Sequence, residues 1–349
     1  MAYTTINKPE DNFKPVLYTG THSSVPTVTV GFKSDFLWLK SRTQTYDHNL
    51  LDTTRGGNSK ISSNNDNAAS TTGDSVTFNA TSFEPSGQAI NESGQGTNNM
   101  ISWSWKANGG TTASNSDGSI TSTVQANTTA GFSVVKWTGS GATATIGHGL
   151  GQTPHVIIAK NYTNTGGAAS WPVYHKAMGN THYVKLNETA AQIDSSGLWN
   201  DTSPTSSVIT INTSHQINAS GGSLIAYCFA PIQGYSRFGN YAGNGNDDGP
   251  FVYTGFKPAF LMAKKTSDTG TWFMWDNKRT PFNVMNIRVL ANTSAGDDTS
   301  NDNRIDFLSN GFKIRDNSTS FNDNGSSMLY MAFAENPLVA SNDVIALAR

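Results

Sequence analysis

The chain has 349 residues, a formal net charge of −2, 14% charged side chains and 10% aromatic ones. That length allows two or three domains of ordinary size, each with its own core. A near-neutral balance excludes a general nucleic-acid binder, which needs a basic footprint to displace counterions. No run approaches the ~18 apolar residues of a membrane span.

With so few charges, the polar surface must come from Ser, Thr, Asn and Gly, the residues of turns and exposed strand faces. The one cysteine, Cys228, sits in an apolar strand pattern and reads as an inert core thiol. The first nine residues lack the apolar stretch of a cleavable signal, so the expectation is a product made in a cytoplasm and not exported by that route. Asn-x-Ser/Thr triplets such as Asn79-Ala80-Thr81 follow from the Asn/Thr-rich composition and carry no weight without a secretory route.

In chain order, 1–15 reads as an extended N-terminal arm with Pro9 and Pro15, loose or docked on a neighbouring subunit. A first β-sandwich unit follows over 16–107. Thr27-Val28-Thr29-Val30 alternates like a half-buried strand, and Phe36-Leu37-Trp38-Leu39 is a continuous apolar run suited to a strand covered on both faces. Ser75-Val76-Thr77-Phe78 is a further strand, and Met100 to Trp105 closes the unit with Trp103 and Trp105 on one face. The stretch 108–130, rich in Gly, Ser, Thr and Asn, reads as a linker whose Ser119–Val124 portion could pair as an edge strand. A second unit spans 131–234, a third spans 235–340, and 341–349 is a short tail. No window sustains helical periodicity; the nearest is His175 to Gly179. Turn signals every 8–12 residues or so complete an all-β expectation of three tandem sandwiches, jelly-roll-like in character.

The three units are copies. A glycine turn followed by a strand ending in lysine recurs as Gly31 to Lys40, Gly149 to Lys160 and Gly255 to Lys264. Upstream stands an aromatic–Thr–Gly triplet: Tyr18-Thr19-Gly20, Trp137-Thr138-Gly139 and Tyr253-Thr254-Gly255. In the third copy the triplet runs into the glycine turn, as though a strand had been deleted. Downstream, His48 aligns with Trp171 and Trp272, and His175 with Asp52 and Asp276. Each unit closes on a polar turn and an apolar strand, at Ile90-Asn91, Ile217-Asn218 and Phe321-Asn322. Repeats of this size permit either a pseudo-threefold ring or a linear rod.

Chemistry is harder to find. An enzyme should show a nucleophile with a base, a carboxylate pair, a metal set or a phosphate loop. The seven histidines include no His-Glu-x-x-His or similar ligand spacing, so no catalytic residue, metal ligand or cofactor is assigned. A polysaccharide-degrading enzyme would need two carboxylates about 5–10 Å apart, and no such pair stands out. The turn holding Asn244, Asn246, Asp247 and Asp248 could hold Ca²⁺ but reads better as a hairpin loop, as does Gly296-Asp297-Asp298 with Asp302. Landmark tryptophans read as core. Trp199, between landmarks, is the better exposed contact, and Asn322, Asp323 and Asn324 look like a loop tip at one end of a sandwich.

These landmarks resemble a family of repeated β-rich domains found in structural, tail-fibre-like proteins of marine tailed bacteriophages, including cyanophages and pelagiphages. The resemblance rests on Tyr18-Thr19-Gly20, Gly31 through Lys40, Leu51 to Gly56, Ser119 to Val124, Tyr227 to Pro231, Gly249 to Pro258 and Met331 to Pro337, and covers nearly the whole chain. It implies a non-enzymatic virion protein located in the particle. A tail-associated fibre or adhesin component comes first, with a capsid decoration protein as the alternative. Its expected partners are other virion proteins, further copies of itself with a trimer favoured, and a host-surface glycan or protein, with neither nucleic acid nor membrane insertion. The chain lacks the coiled-coil stalk, collagen-like repeat and long anchor of a full-length fibre, which favours a compact appendage.

Overall fold

The computed structural model describes residues 3–21, 24–91 and 98–339. The tail 341–349, His22 and part of the first closing turn lie outside them. Almost every regular element is a strand, and the sheets are antiparallel.

One strand order occurs three times. In the first unit the large sheet runs Phe13–Gly20, Asn98–Trp105, Phe36–Ser41, Asn49–Asp52, Gly56–Ile61. In the second it runs Phe132–Thr138, Ser223–Phe229, Val156–Asn161, Pro172–His175, His182–Lys185, and in the third Ser236–Ala242, Ser327–Pro337, Phe256–Lys265, Trp272–Asp276, Val289–Leu290. First strand pairs with last, last with second, second with third. A small sheet backs each large one: Val28–Thr29 with Ser82–Ser86 and Ser75–Phe78, then Ala144–Gly147 with Val208–Ile211, then Phe251–Tyr253 with Gly311–Ile314 and Ile305–Leu308. Each unit is therefore a two-layer sandwich.

The continuous apolar runs have a physical cause. In a strand, successive side chains point to opposite faces. Leu37, Leu39 and Met100 face the first sandwich's own core, Ile157, Ala159 and Cys228 the second's, and Leu261, Ala263 and Ala332 the third's. Their alternates all face one further core shared by the three units: Phe36, Trp38, Trp103 and Trp105; Val156, Ile158, Tyr227 and Phe229; Phe260, Met262, Met331 and Phe333. The repeat is a ring about a common core, not a rod. Trp105, Phe229 and Phe333 occupy equivalent places on the three last strands and meet one another, with ring centroids 6.2, 5.6 and 5.7 Å apart. They mark the pseudo-threefold axis.

Four sequence expectations change. Phe13 to Pro15, read as part of the arm, already belong to the first sheet, where Phe13 pairs with Trp105. What precedes them docks on the same chain where the second and third units join: the Tyr3 hydroxyl donates to Gly255 O at 2.6 Å and Thr4 to Gln233 O at 2.7 Å. The stretch 108–130, read as a linker whose Ser119–Val124 portion could pair, is part of the second sheet: Ser122–Asn127 pairs with Phe132–Thr138, and Ala113–Asn115 lies beyond it. The third unit has lost no strand. Its counterpart of Tyr18-Thr19-Gly20 is Tyr241-Ala242-Gly243, at the end of Ser236–Ala242, where alanine in place of the threonine hides the match.

Candidate functional site

Many of the buried polar side chains line the three seams between units. Lys40, Lys160 and Lys264 stand one residue before the ends of Phe36–Ser41, Val156–Asn161 and Phe256–Lys265 and are fully buried. A buried ammonium must be hydrogen-bonded. Lys160 donates to Asp66 O (2.9 Å) in the first unit and to Ala169 O, and Lys264 donates to Thr189 O (3.2 Å) in the second unit and to Gly270 O (2.6 Å). Lys40 donates to Ser41 O and Gln44 O. Burial pulls each of the three amines down to about 8. Beside them, His48, Trp171 and Trp272 each reach a main-chain carbonyl of the neighbouring unit. His48 Nε2 lies 3.1 Å from Leu290 O, Trp171 Nε1 donates to Ser62 O at 2.9 Å, and Trp272 Nε1 donates to Lys185 O at 2.9 Å. The contacts run first to third, second to first, third to second, which is the closure of a ring.

At the opposite end of the sheets, two seams carry buried ion pairs. Asp52 and Arg55 meet at 2.6 Å, and the Tyr227 hydroxyl of the second unit donates to Asp52 at 2.9 Å. Asp276 and Arg279 meet at 2.7 Å, with Trp103 Nε1 of the first unit 3.3 Å from Asp276. The third seam is neutral. His175 takes the aspartate's place and Met331 that of Tyr227 and Trp103. His175 Nδ1 accepts from Ala177 N at 3.1 Å, so Nε2 carries the proton toward Tyr330 O at 3.1 Å. Burial pushes this imidazole down to about 4. His48 is arranged alike, with Trp38 Nε1 donating to its Nδ1 at 2.8 Å, and burial holds it well below the ordinary histidine range. The Cys228 thiol is buried and pushed up to about 12.

The residues expected at loop tips divide into two sets. Trp199 is not an exposed contact: it ends a helical turn, Ser196–Trp199, and packs against Tyr174 in the second sandwich's core, ring centroids 6.0 Å apart. Asn322 is fully buried and clamps the facing loop, its Oδ1 accepting from Asn244 N at 2.9 Å and its Nδ2 donating to Asn246 O and Asp316 O. Asn91 and Asn218 do the same in the other units, receiving Thr21 N at 3.0 Å and Ser140 N at 2.9 Å. The recurrence of this asparagine in all three copies was the signal of a structural role. Asn244 and Asp323 are half-buried, while Asn246, Asp247, Asp248 and Asn324 are exposed. Asp247 accepts from Asn317 N, Asp248 pairs with Lys313 at 2.8 Å, and Asp323 pairs with Lys265 at 2.8 Å. In the second acidic turn, the Arg288 guanidinium stands where a cation would, 2.7 Å from Asp298 and bound also to Asp302.

What remains open to a ligand is peripheral. One cleft of about 350 Å³ lies beside Tyr46, Asp47, Lys60 and Asp74 in the first unit. Another of about 410 Å³ lies where the arm, the second unit and the third unit meet, and sequence reasoning missed it because its walls come from four separate stretches of chain. Among the described residues no helix is long and apolar enough to cross a membrane.

A family described as a domain of unknown function, DUF7483, matches residues 8–337, which takes in all three sandwiches. No curated protein matches the chain.

Proposed function

The chain belongs to that DUF7483 family, and we propose that it is a non-catalytic structural component of a tailed-phage particle, carried on the tail and touching the host surface through its sandwich-end loops. The observation that carries this reading is the closed ring. Lys160, Lys264, His48 and His175 reach main-chain carbonyls of a neighbouring unit, and the Asp52 and Asp276 carboxylates of the two ion pairs each take a hydrogen bond from a neighbouring unit's side chain, so the interior chemistry serves rigidity. Loops on a rigid sheet scaffold are where contacts with partners are usually made, and Asn246, Asp247, Asp248 and Asn324 stand exposed on such loops. One chain supplies threefold pseudo-symmetry by itself, so a threefold position on a particle can be filled by one copy where the sequence favoured a trimer. A head-surface decoration protein is the second reading, favoured by the three-lobed body, whose α-helices in the described residues are four residues long and build no stalk.

The test is peptide mass spectrometry of gradient-purified virions of the encoding phage. Peptides from this chain should co-purify with the particle through successive gradients in constant ratio to the major capsid protein. Loss of the peptides on the second gradient, with the chain left among soluble lysate proteins, would overturn the proposal.

A further inference from the structure

The third unit keeps aromatic rings in solvent. Phe251 is 46% exposed and Tyr253 44%, on a strand whose central Val252 is buried. They therefore share the outer face of the small sheet, about 7 Å apart along the strand. On the next strand Gly311 stands opposite Tyr253 and Lys313 opposite Phe251; a Cβ at Gly311 would collide with Val252 O at 2.1 Å and crowd Phe251 Cε2 at 3.1 Å.

Tyr253 also forms a wall of the 410 Å³ cleft, with Tyr3, Phe238, His155, Gln233 and Arg237 around it. The Arg237 guanidinium lies over the Tyr253 ring, 5.7 Å from its centroid, which orients the fork without neutralising it. Arg237 is exposed and forms no ion pair among the described residues, and no carboxylate lines the cleft. Tyr3 is fixed by its hydrogen bond to Gly255 O and lies 3.4 Å, oxygen to oxygen, from the Tyr253 hydroxyl. His155, pulled down to about 4 by burial and the neighbouring Lys176, is neutral at pH 7; its Nε2 accepts from Lys176 Nζ at 3.2 Å, which leaves Nδ1–H as a donor.

We propose that this cleft and the Tyr253–Phe251 stripe leading from it bind an acidic saccharide, a chain of sugars bearing carboxylates. A pyranose presents an apolar C–H face and a rim of hydroxyls, which matches flat exposed rings edged by amide, imidazole and phenol groups. The carboxylate meets the planar guanidinium of Arg237, a geometry suited to two parallel hydrogen bonds. One sugar lies against Tyr253 in the cleft and the next reaches Phe251. This deepens the host-contact reading above and rests on it for biological meaning, but the binding itself is a property of the isolated chain.

The experiment is saturation-transfer NMR on the purified full chain with tri-galacturonate and tri-mannuronate, maltotriose serving as the neutral comparator, followed by titration of whichever uronate binds. Saturation should pass to a uronate, weaken with added NaCl and be faint for maltotriose. Tyr253→Ala and Arg237→Ala should each weaken binding about tenfold or more, as expected for a lost stacking face or charge-assisted bond. Both side chains are exposed, so circular dichroism should stay that of the wild type. No transfer to either uronate, equal transfer to maltotriose, or full affinity in both variants would overturn the proposal. Such a failure would leave the particle placement standing. A chain that binds uronates yet is absent from virions would sink the placement alone.

Discussion

Phe333 sits on the pseudo-threefold axis, 1% exposed, with Trp105 and Phe229 from the other two units 5.6 and 5.7 Å away between ring centroids. Phe333→Ala removes a fully buried phenyl ring, worth about 2–3 kcal/mol in transfer free energy. The three sheets are tied by the seam contacts and cannot close over the hole, so a cavity cost of about 1–2 kcal/mol adds to it, for a total of about 3–5 kcal/mol. The assay is equilibrium urea unfolding followed by tryptophan fluorescence and far-ultraviolet circular dichroism. The tryptophans report on all three units: Trp38, Trp103 and Trp105 in the first, Trp137, Trp171 and Trp199 in the second, Trp272 and Trp275 in the third. If the shared core makes the chain one cooperative body, wild type and variant each unfold in a single transition, and the variant's midpoint falls without a change in slope. Leu17→Ala, at a partly exposed edge position, should change stability by no more than about 0.5 kcal/mol. Separate transitions of which only one moves, or a loss below about 1 kcal/mol, would refute the shared core.

Other outcomes follow from the seams and loops. Tyr227→Phe keeps the ring stack on Phe36 (centroids 3.9 Å apart) but removes a hydrogen bond to a buried carboxylate, and should cost about 1.5–3 kcal/mol in the same urea assay. Asp52→Ala leaves Arg55 buried without its counter-charge and should cost more, about 3–5 kcal/mol. His175 titrates near 4 in the folded chain against about 6.5 unfolded. Its folded pKa is depressed, so its contribution is complete above about pH 6.5 and is lost as pH falls from there through 4, a loss on the order of 3 kcal/mol measurable as a falling urea midpoint. His175→Gln should flatten that part of the pH profile. Gly139→Ala would place a Cβ 2.2 Å from Ala219 O and should open the clamp around Asn218, seen as faster amide exchange at Ser140 and Gly141.

Much of this architecture was legible because strand geometry converts sequence into faces. Phe36 to Leu39 reads as doubly buried, and it is, one face to each of two cores. The alignments of His48 with Trp171 and Trp272, and of His175 with Asp52 and Asp276, match positions that share a register in the three sheets. What the sequence concealed is how the units sit together, since spacing of about a hundred residues is the same in a rod and a ring. Trp199 was misread because its helical turn is only four residues long, too short for periodicity to register. Asn322 looked like a loop tip because asparagine is common both at exposed turns and at buried clamps. Only its recurrence as Asn91 and Asn218 separates the two. The Tyr253 cleft was out of reach of any local pattern, as Tyr3, His155, Arg237 and Tyr253 come together only when the ring closes.

The central functional claim, a tail-borne particle component, is tested most directly by immunogold electron microscopy of intact virions with antibody raised against this chain. Gold at the tail tip or fibres is the result the account expects. Gold spread over the head, or particles that carry none, would contradict it.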